Sequence, residues 1–195
     1  MNVSDPDLFG TAYNADGEVD PDGTAIVKVS SAGNIVGPGS EGSMTFTIAG
    51  TAEVATQIDI SLVGTDVYFD PDTTLDDNTY YPVKWTLTVD GVEKVAGKTL
   101  ADVQEYFADE VTAKKIAAGQ KFGDGEVVYV LSYVWEFDTS NETNDLYDTF
   151  IGAKANDPSF TFPVETHPNG AAGTTTSVAF TINIKQIQED VEPAA

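Results

Sequence analysis

From Ser43 to Ile48 hydroxyl and apolar side chains alternate without a break, Ser43, Thr45 and Thr47 on one face and Met44, Phe46 and Ile48 on the other. Period two is the mark of a strand with one face in a core, because successive Cβ atoms point to opposite sides of a sheet. The same alternation returns in Val54, Thr56, Ile58, Ile60 and Leu62, with Gln57, Asp59 and Ser61 opposite. Gly50-Thr51 between the two runs permits a turn, so the pair reads as antiparallel neighbours. Val83, Trp85, Leu87 and Val89 form a further strand, closed by Asp90-Gly91, a hairpin pair that tolerates positive φ. A short strand is expected at Ala25, Val27 and Val29, and a last one at Val178, Phe180, Ile182 and Ile184. Glu126 to Phe137 carries Val127, Tyr129, Leu131, Tyr133, Trp135 and Phe137 on one face and Val128, Val130 and Val134 on the other. Apolar on both faces, it predicts a central strand.

Elsewhere the period changes. Thr99 followed by Asp102 is a helix-start box, and Leu100, Val103, Tyr106 or Phe107, and Val111 recur at helical spacing. Lys114, Lys115 and Gly119 read as the matching stop signals. Leu146, Phe150 and Ile151 show near-helical spacing within Asn144 to Ala153, and Pro158, Pro163 and Pro168 mark a long loop. The pattern therefore predicts a mainly β fold, an antiparallel sandwich with one or two short helices inserted between strands. Its domain spans residues 25–187, behind an arm or edge strand of Asp, Gly and Pro at residues 1–24 and ahead of an acidic tail at 188–195.

Composition narrows what such a sandwich can do. With 32 acidic residues against 9 basic ones the net charge is −23, and all nine bases are Lys. Phosphate backbones are bound by clustered Lys and Arg that release counterions, so this balance argues against nucleic acid and against an anionic leaflet. Self-repulsion at this density favours salt or divalent cations, which screen it. Without Cys there is no disulfide framework and no thiolate metal site. No run of 18 apolar residues predicts a membrane span, and Met1-Asn2-Val3-Ser4-Asp5 lacks the basic and apolar start of a secretory signal. Either the protein is cytosolic or this is a mature exported chain whose signal was replaced by a start Met.

Three stretches together resemble the TasA/camelysin group of secreted proteins: Gly37 to Ile48, Tyr129 to Phe137 followed by Asn144-Asp145 and Asp148-Thr149, and Val178 to Ile182. The likeness spans roughly residues 25–187 and rests on the order and spacing of these segments. The resemblance implies a jelly-roll-like sandwich, exported by a signal peptide to the cell surface or biofilm matrix. Its subunits polymerise head-to-tail by lending an N-terminal strand to the next subunit, as in the related archaeal bundling pili. The donor would be Val3 to Tyr13, with Leu8, Phe9 and Tyr13 filling the gap between sheets. The arm departs from the group in being rich in Asp and poor in apolar residues. The implied partners are further copies of the chain and other matrix or cell-surface components.

Camelysin-type proteins have been classed with metallopeptidases, and a zincin needs two His one helical turn apart beside a Glu. This chain has one histidine, His167, in the turn sequence Thr166-His167-Pro168-Asn169-Gly170. No Gly-x-Ser-x-Gly elbow occurs, and carboxylate pairs arise by chance among so many acids. No catalytic constellation is expected. Calcium is the most credible ligand, at Asp16, Asp20 and Asp22 with Asn14 and Glu18, or at Asp70, Asp72, Asp76 and Asp77 with Asn78, since hard cations take several oxygens at short range. The first cluster is no EF-hand, because Val29 stands where the bidentate Glu belongs. The aromatic row Tyr129, Tyr133, Trp135 and Phe137 fits a core better than a sugar-stacking platform. A carbohydrate-binding or adhesive surface module is the alternative to a fibre subunit. Asn2-Val3-Ser4 and Asn141-Glu142-Thr143 match the glycan acceptor pattern.

Overall fold

The structure is a computed structural model that describes residues 36–72, 75, 78–110, 114–137, 139–162 and 169–187. The arm, the strand expected at Ala25 to Val29, Leu8, Phe9, Tyr13, Asp16, Asp20, Asp22, Asp76, Asp77, His167 and the acidic tail lie outside the described residues.

The fold is mainly β, and every strand pair is antiparallel. In chain order the elements are β1 (Glu41–Thr51), β2 (Thr56–Thr65), β3 (Tyr68–Asp70), β4 (Val83–Val89), β5 (Val92–Lys98), α1 (Leu100–Glu110), β6 (Lys114–Ile116), β7 (Lys121–Trp135), α2 (Glu142–Asn156), β8 (Ala171–Gly173) and β9 (Ser177–Gln186). One sheet has the order β1-β7-β4-β5, a second β6-β2-β9, and β3 pairs with β8.

The alternating rows do what their period predicts, except that Val54 lies ahead of β2 and is exposed. Met44, Phe46 and Ile48 of β1, Val83, Trp85, Leu87 and Val89 of β4, and Val127, Tyr129, Leu131, Tyr133 and Trp135 of β7 are buried in one core with Ile58, Ile60 and Leu62 of β2. Removing each such side chain from water contributes roughly 1.5–3 kcal/mol, the main drive for stacking the two sheets. As its double apolar pattern predicts, β7 is central, between β1 and β4. Asp90 and Gly91 close the β4–β5 hairpin with φ of 51° and 73°.

Three expectations are corrected. The runs at Ser43 to Ile48 and Val54 to Leu62 are not neighbours, because β1 pairs with β7 and β2 with β9. A register break between Ala49 and Thr51 carries the chain from one sheet into the other, and Ala52 is held there by backbone bonds to Gln120 and Gly119. Alternation fixes the buried face of a strand but not the strand that supplies its backbone partners. Lys114 and Lys115 do not end a helix: α1 stops at Glu110, and they form β6 against Ile58 and Gln57. Phe137 is not in the core. It lies beyond the last residue of β7 and is 79% exposed.

The helix-start box forms as its residues predict. The Asp102 carboxylate accepts from Thr99 N (2.9 Å) and from Thr99 Oγ1, and Asp102 N donates back to Thr99 Oγ1 (3.3 Å). These bonds hold its pKa below the usual carboxylate value. At the start of α2, Asn141 Oδ1 accepts from Thr143 N (3.0 Å). Phe150 of α2 packs against Phe69, Phe160 and Phe162, which docks the helix beside β3 and β8.

Candidate functional site

The two long sides of the sandwich are finished differently, and the difference defines the site. On one side α1 packs against β2, β4 and β5 and so bridges the two sheets. Its buried Leu100, Val103 and Phe107 face inward. Asp66, just after β2, fixes its start: one carboxylate oxygen accepts from Leu100 N (3.0 Å), the other from Trp85 Nε1 (3.2 Å) and Val67 N (3.1 Å). Burial raises the Asp66 pKa, and the bonds from Leu100, Trp85 and Val67 oppose that rise. One carboxylate thus caps a helix and satisfies the indole of a fully buried tryptophan.

On the other side β1 and β9 are both terminal strands among the described residues. They lie over one another, with the Phe46 and Phe180 rings 4.6 Å apart. The inward row of β9 is Val178, Phe180, Ile182 and Ile184, in register with Gly64, Leu62, Ile60 and Ile58 of β2. The β2 isoleucines and Leu62 are buried, whereas Val178, Phe180 and Ile182 are only partly covered and Ile184 is 47% exposed. The core therefore thins toward β9. An edge that is terminal among the described residues offers a row of backbone donors and acceptors beside a partly covered apolar strip, the two features that a further strand satisfies together.

The acidic loop is built around Asp70, which is fully buried. Its Oδ1 accepts from Asp72 N (3.1 Å) and its Oδ2 from Leu75 N (2.8 Å), so both oxygens already serve the loop backbone. Asp72 Oδ2 accepts from Asn78 Nδ2 at 3.4 Å. Among the described residues no group of three or more His, Cys, Asp or Glu side chains is arranged to hold a metal. Of the aromatic row, Tyr129, Tyr133 and Trp135 are buried and cannot stack on a sugar.

Sequence reasoning misses a second polar centre. Asp148 of α2 is only 6% exposed, and neither carboxylate oxygen makes a hydrogen bond of good geometry among the described residues. Burial raises its pKa. The nearby Trp135 and Tyr80 side chains favour the ionised form, and the charge of Asp145 disfavours it. Burial and then the Asp148 charge push the Tyr80 phenol well above its ordinary value. Nothing in the polar segment Asn144 to Thr149 signals this, because Asp148 is buried by the fit of α2 over Tyr80 and Trp135. No protein family, curated protein or solved structure matches this chain.

Proposed function

We propose that the chain is a structural subunit of an extracellular filament, and that β9 accepts an extended segment from the next copy. The observation that carries this reading is the partly covered row Val178, Phe180, Ile182 and Ile184 on a strand that is terminal among the described residues. The TasA/camelysin resemblance supports it, with the donor taken from Val3 to Tyr13 and with Leu8, Phe9 and Tyr13 as the side chains that enter the gap. Ile184 is about half exposed and Val178, Phe180 and Ile182 about a third or less, so covering each contributes roughly 0.3–1 kcal/mol, the matching fraction of full burial. Each added backbone bond contributes roughly 0.5–1.5 kcal/mol. A donor of six or so residues thereby gains enough to hold subunits together. Because the same head-to-tail contact repeats without closing, the product is an open fibre.

The charge of −23 acts as a brake that salt or calcium releases by screening. Deleting residues 1–13 tests the proposal by electron microscopy at raised salt. The expected product is a folded, soluble subunit that forms no fibres, and a synthetic peptide of residues 3–13 should bind it. Fibres formed unchanged by the truncated chain would sink the proposal.

A further inference from the structure

The outer face of the four-stranded sheet has an order that the core does not explain. Its register places Glu41, Val134 and Lys84 in one row across β1, β7 and β4, Ser43, Ser132 and Thr86 in the next, and Thr45, Val130 and Thr88 in the third. A Val-rich ridge on β7, with Val134 39% exposed, thus runs between two rails of hydroxyls. Apolar centre and polar rim is the anatomy of a protein interface.

Among the described residues Glu41 and Lys84, at one end of this face, form no ion pair, while Glu126 of β7 and Glu93 of β5 share the face farther along. On the outer face of β2 and β9, Asp59 is neutralised within the subunit by Lys185 at 3.3 Å. Glu41 and Lys84 instead sit on strands separated by β7, about 10 Å apart across the sheet. Lys84 Nζ donates to the Tyr81 carbonyl (2.7 Å), and the pair flanks a hollow of about 420 Å³ floored by Ser132 and Val134. A two-fold axis laid along β7 exchanges the two flanking strands. It sets Glu41 of one copy over Lys84 of the other, twice, with Val134 facing Val134, and the long side chains enter the hollows.

We propose that this face pairs with the same face of a second copy, a lateral contact distinct from strand addition at β9. Three strands by six residues cover roughly 14 by 20 Å, well below a standard interface, so a single pair is transient. Repeated along a filament, the contact gains by multivalency and bundles fibres side by side.

The chain contains no cysteine, so one introduced thiol reports proximity cleanly. Val134→Cys in the full chain is treated, at low ionic strength, with a bis-maleimide whose spacer, about 8 Å, suits sheets packed ~10 Å apart. Dimers should form about tenfold faster than with Ser61→Cys on the outer face of β2, as the higher effective concentration requires. Adding Glu41→Lys or Lys84→Glu to Val134→Cys should slow the reaction to the control rate. An equimolar mixture of those two should restore it and give mainly mixed dimers, a rescue that a folding defect cannot produce. Equal rates at 134 and 61, or rates indifferent to the charge changes, overturn the proposal. So does a polysaccharide that shields the thiol while no dimer forms, since the face then belongs to a glycan. Fibre formation by the same variants, scored separately, reports on β9 alone.

Discussion

On one side of the molecule β5 ends its sheet with Glu93, Lys94 and Lys98, breaks register with β4 twice, and has α1 packed beside it. On the other side β9 keeps ten consecutive pairs with β2 and presents Val178, Phe180, Ile182 and Ile184 inward with partial cover. Charges, register breaks and a covering helix are the usual protections of a sheet edge. The β5 side has all three, whereas β9 has an unbroken register, meets α1 through the Phe107 ring against Phe180, and has Lys185 held by Asp59 on the outer face. An edge that is regular, apolar and half-covered is a poor end to a sheet and a good start for another strand. The contrast is the reason for proposing β9, rather than β5, as the assembly surface.

The comparison breaks most visibly by placing one charge on each strand. Ile60 and Ile182 are registered partners on the same face, one buried and one partly covered. Ile60→Lys should unfold the subunit or cost about 4 kcal/mol or more, because an unpaired ammonium is forced into the core. Ile182→Lys should cost about 1–2 kcal/mol, since the side chain can turn outward to water. It should nevertheless abolish fibres, because the charge meets the incoming strand. Urea midpoints and fibre yield, read side by side, check both, and normal fibres from Ile182→Lys would remove β9 as the acceptor.

The closed side is sharpened by variants that loosen it. A Cβ at Gly64 would overlap the Ser177 carbonyl and crowd Leu100 where β2, β9 and α1 meet. Gly64→Ala should therefore cost about 1–3 kcal/mol through overpacking against backbone. Asp66→Ala strands the buried Trp85 indole N–H and uncaps α1, and should cost about 3 kcal/mol in denaturant unfolding. Asp66→Ala leaves the β9 strip in place, so its folded protein should still polymerise, whereas Gly64→Ala presses on Ser177 beside Val178 and perturbs the start of β9 as well.

Much of this fold is legible as period. The core faces of β1, β2, β4, β7 and β9 follow from alternation, and the start of α1 from Thr99 and Asp102. Pairing is not legible, because Met44 to Ile48 and Ile58 to Leu62 present the same pattern whether or not they are neighbours. The short strands β3, β6 and β8 have three residues each, too few to show a period. Phe137 continues the alternation of β7 past the point where the sheet ends. The strip on β9 has the pattern of an ordinary strand, since half-cover is a property of the neighbours. In sequence Asp70 is one acid of a cluster, and only its burial reveals that it holds its loop by the backbone.

The smallest effect expected is one of pH, and it separates Asp148 and Asp66, whose pKa values burial raises, from the surface carboxylates. A carboxyl whose folded pKa lies above its unfolded value binds its proton more tightly in the folded state. The resulting stabilisation is complete below the unfolded value near 3.8 and is lost as pH rises through the folded value. Asp148 and Asp66 are both raised, by burial first. The surface carboxyls Asp59, Asp102 and Asp157 are lowered by hydrogen bonds, from Gln57, Thr99 and Ser159 first, and act in the opposite sense. Asp148 has the simpler surroundings to test: Tyr80, Trp135, Asp145 and Glu136, with no Lys among the groups that shift it or Tyr80. Asp148→Asn removes the ionisation but keeps an oxygen toward Trp135 Nε1 and the Tyr80 hydroxyl. The variant should match the native chain at pH 3.5 and exceed its stability at pH 7 by on the order of 1 kcal/mol, the size of one buried polar contact. Urea midpoints from about pH 3.5 to 7.5, followed by tryptophan fluorescence, measure the difference across the window in which a raised carboxyl ionises. A variant less stable than the native chain at pH 7 would mean that ionised Asp148 holds α2 in place, its attraction to the Trp135 and Tyr80 donors outweighing the cost of burying its charge.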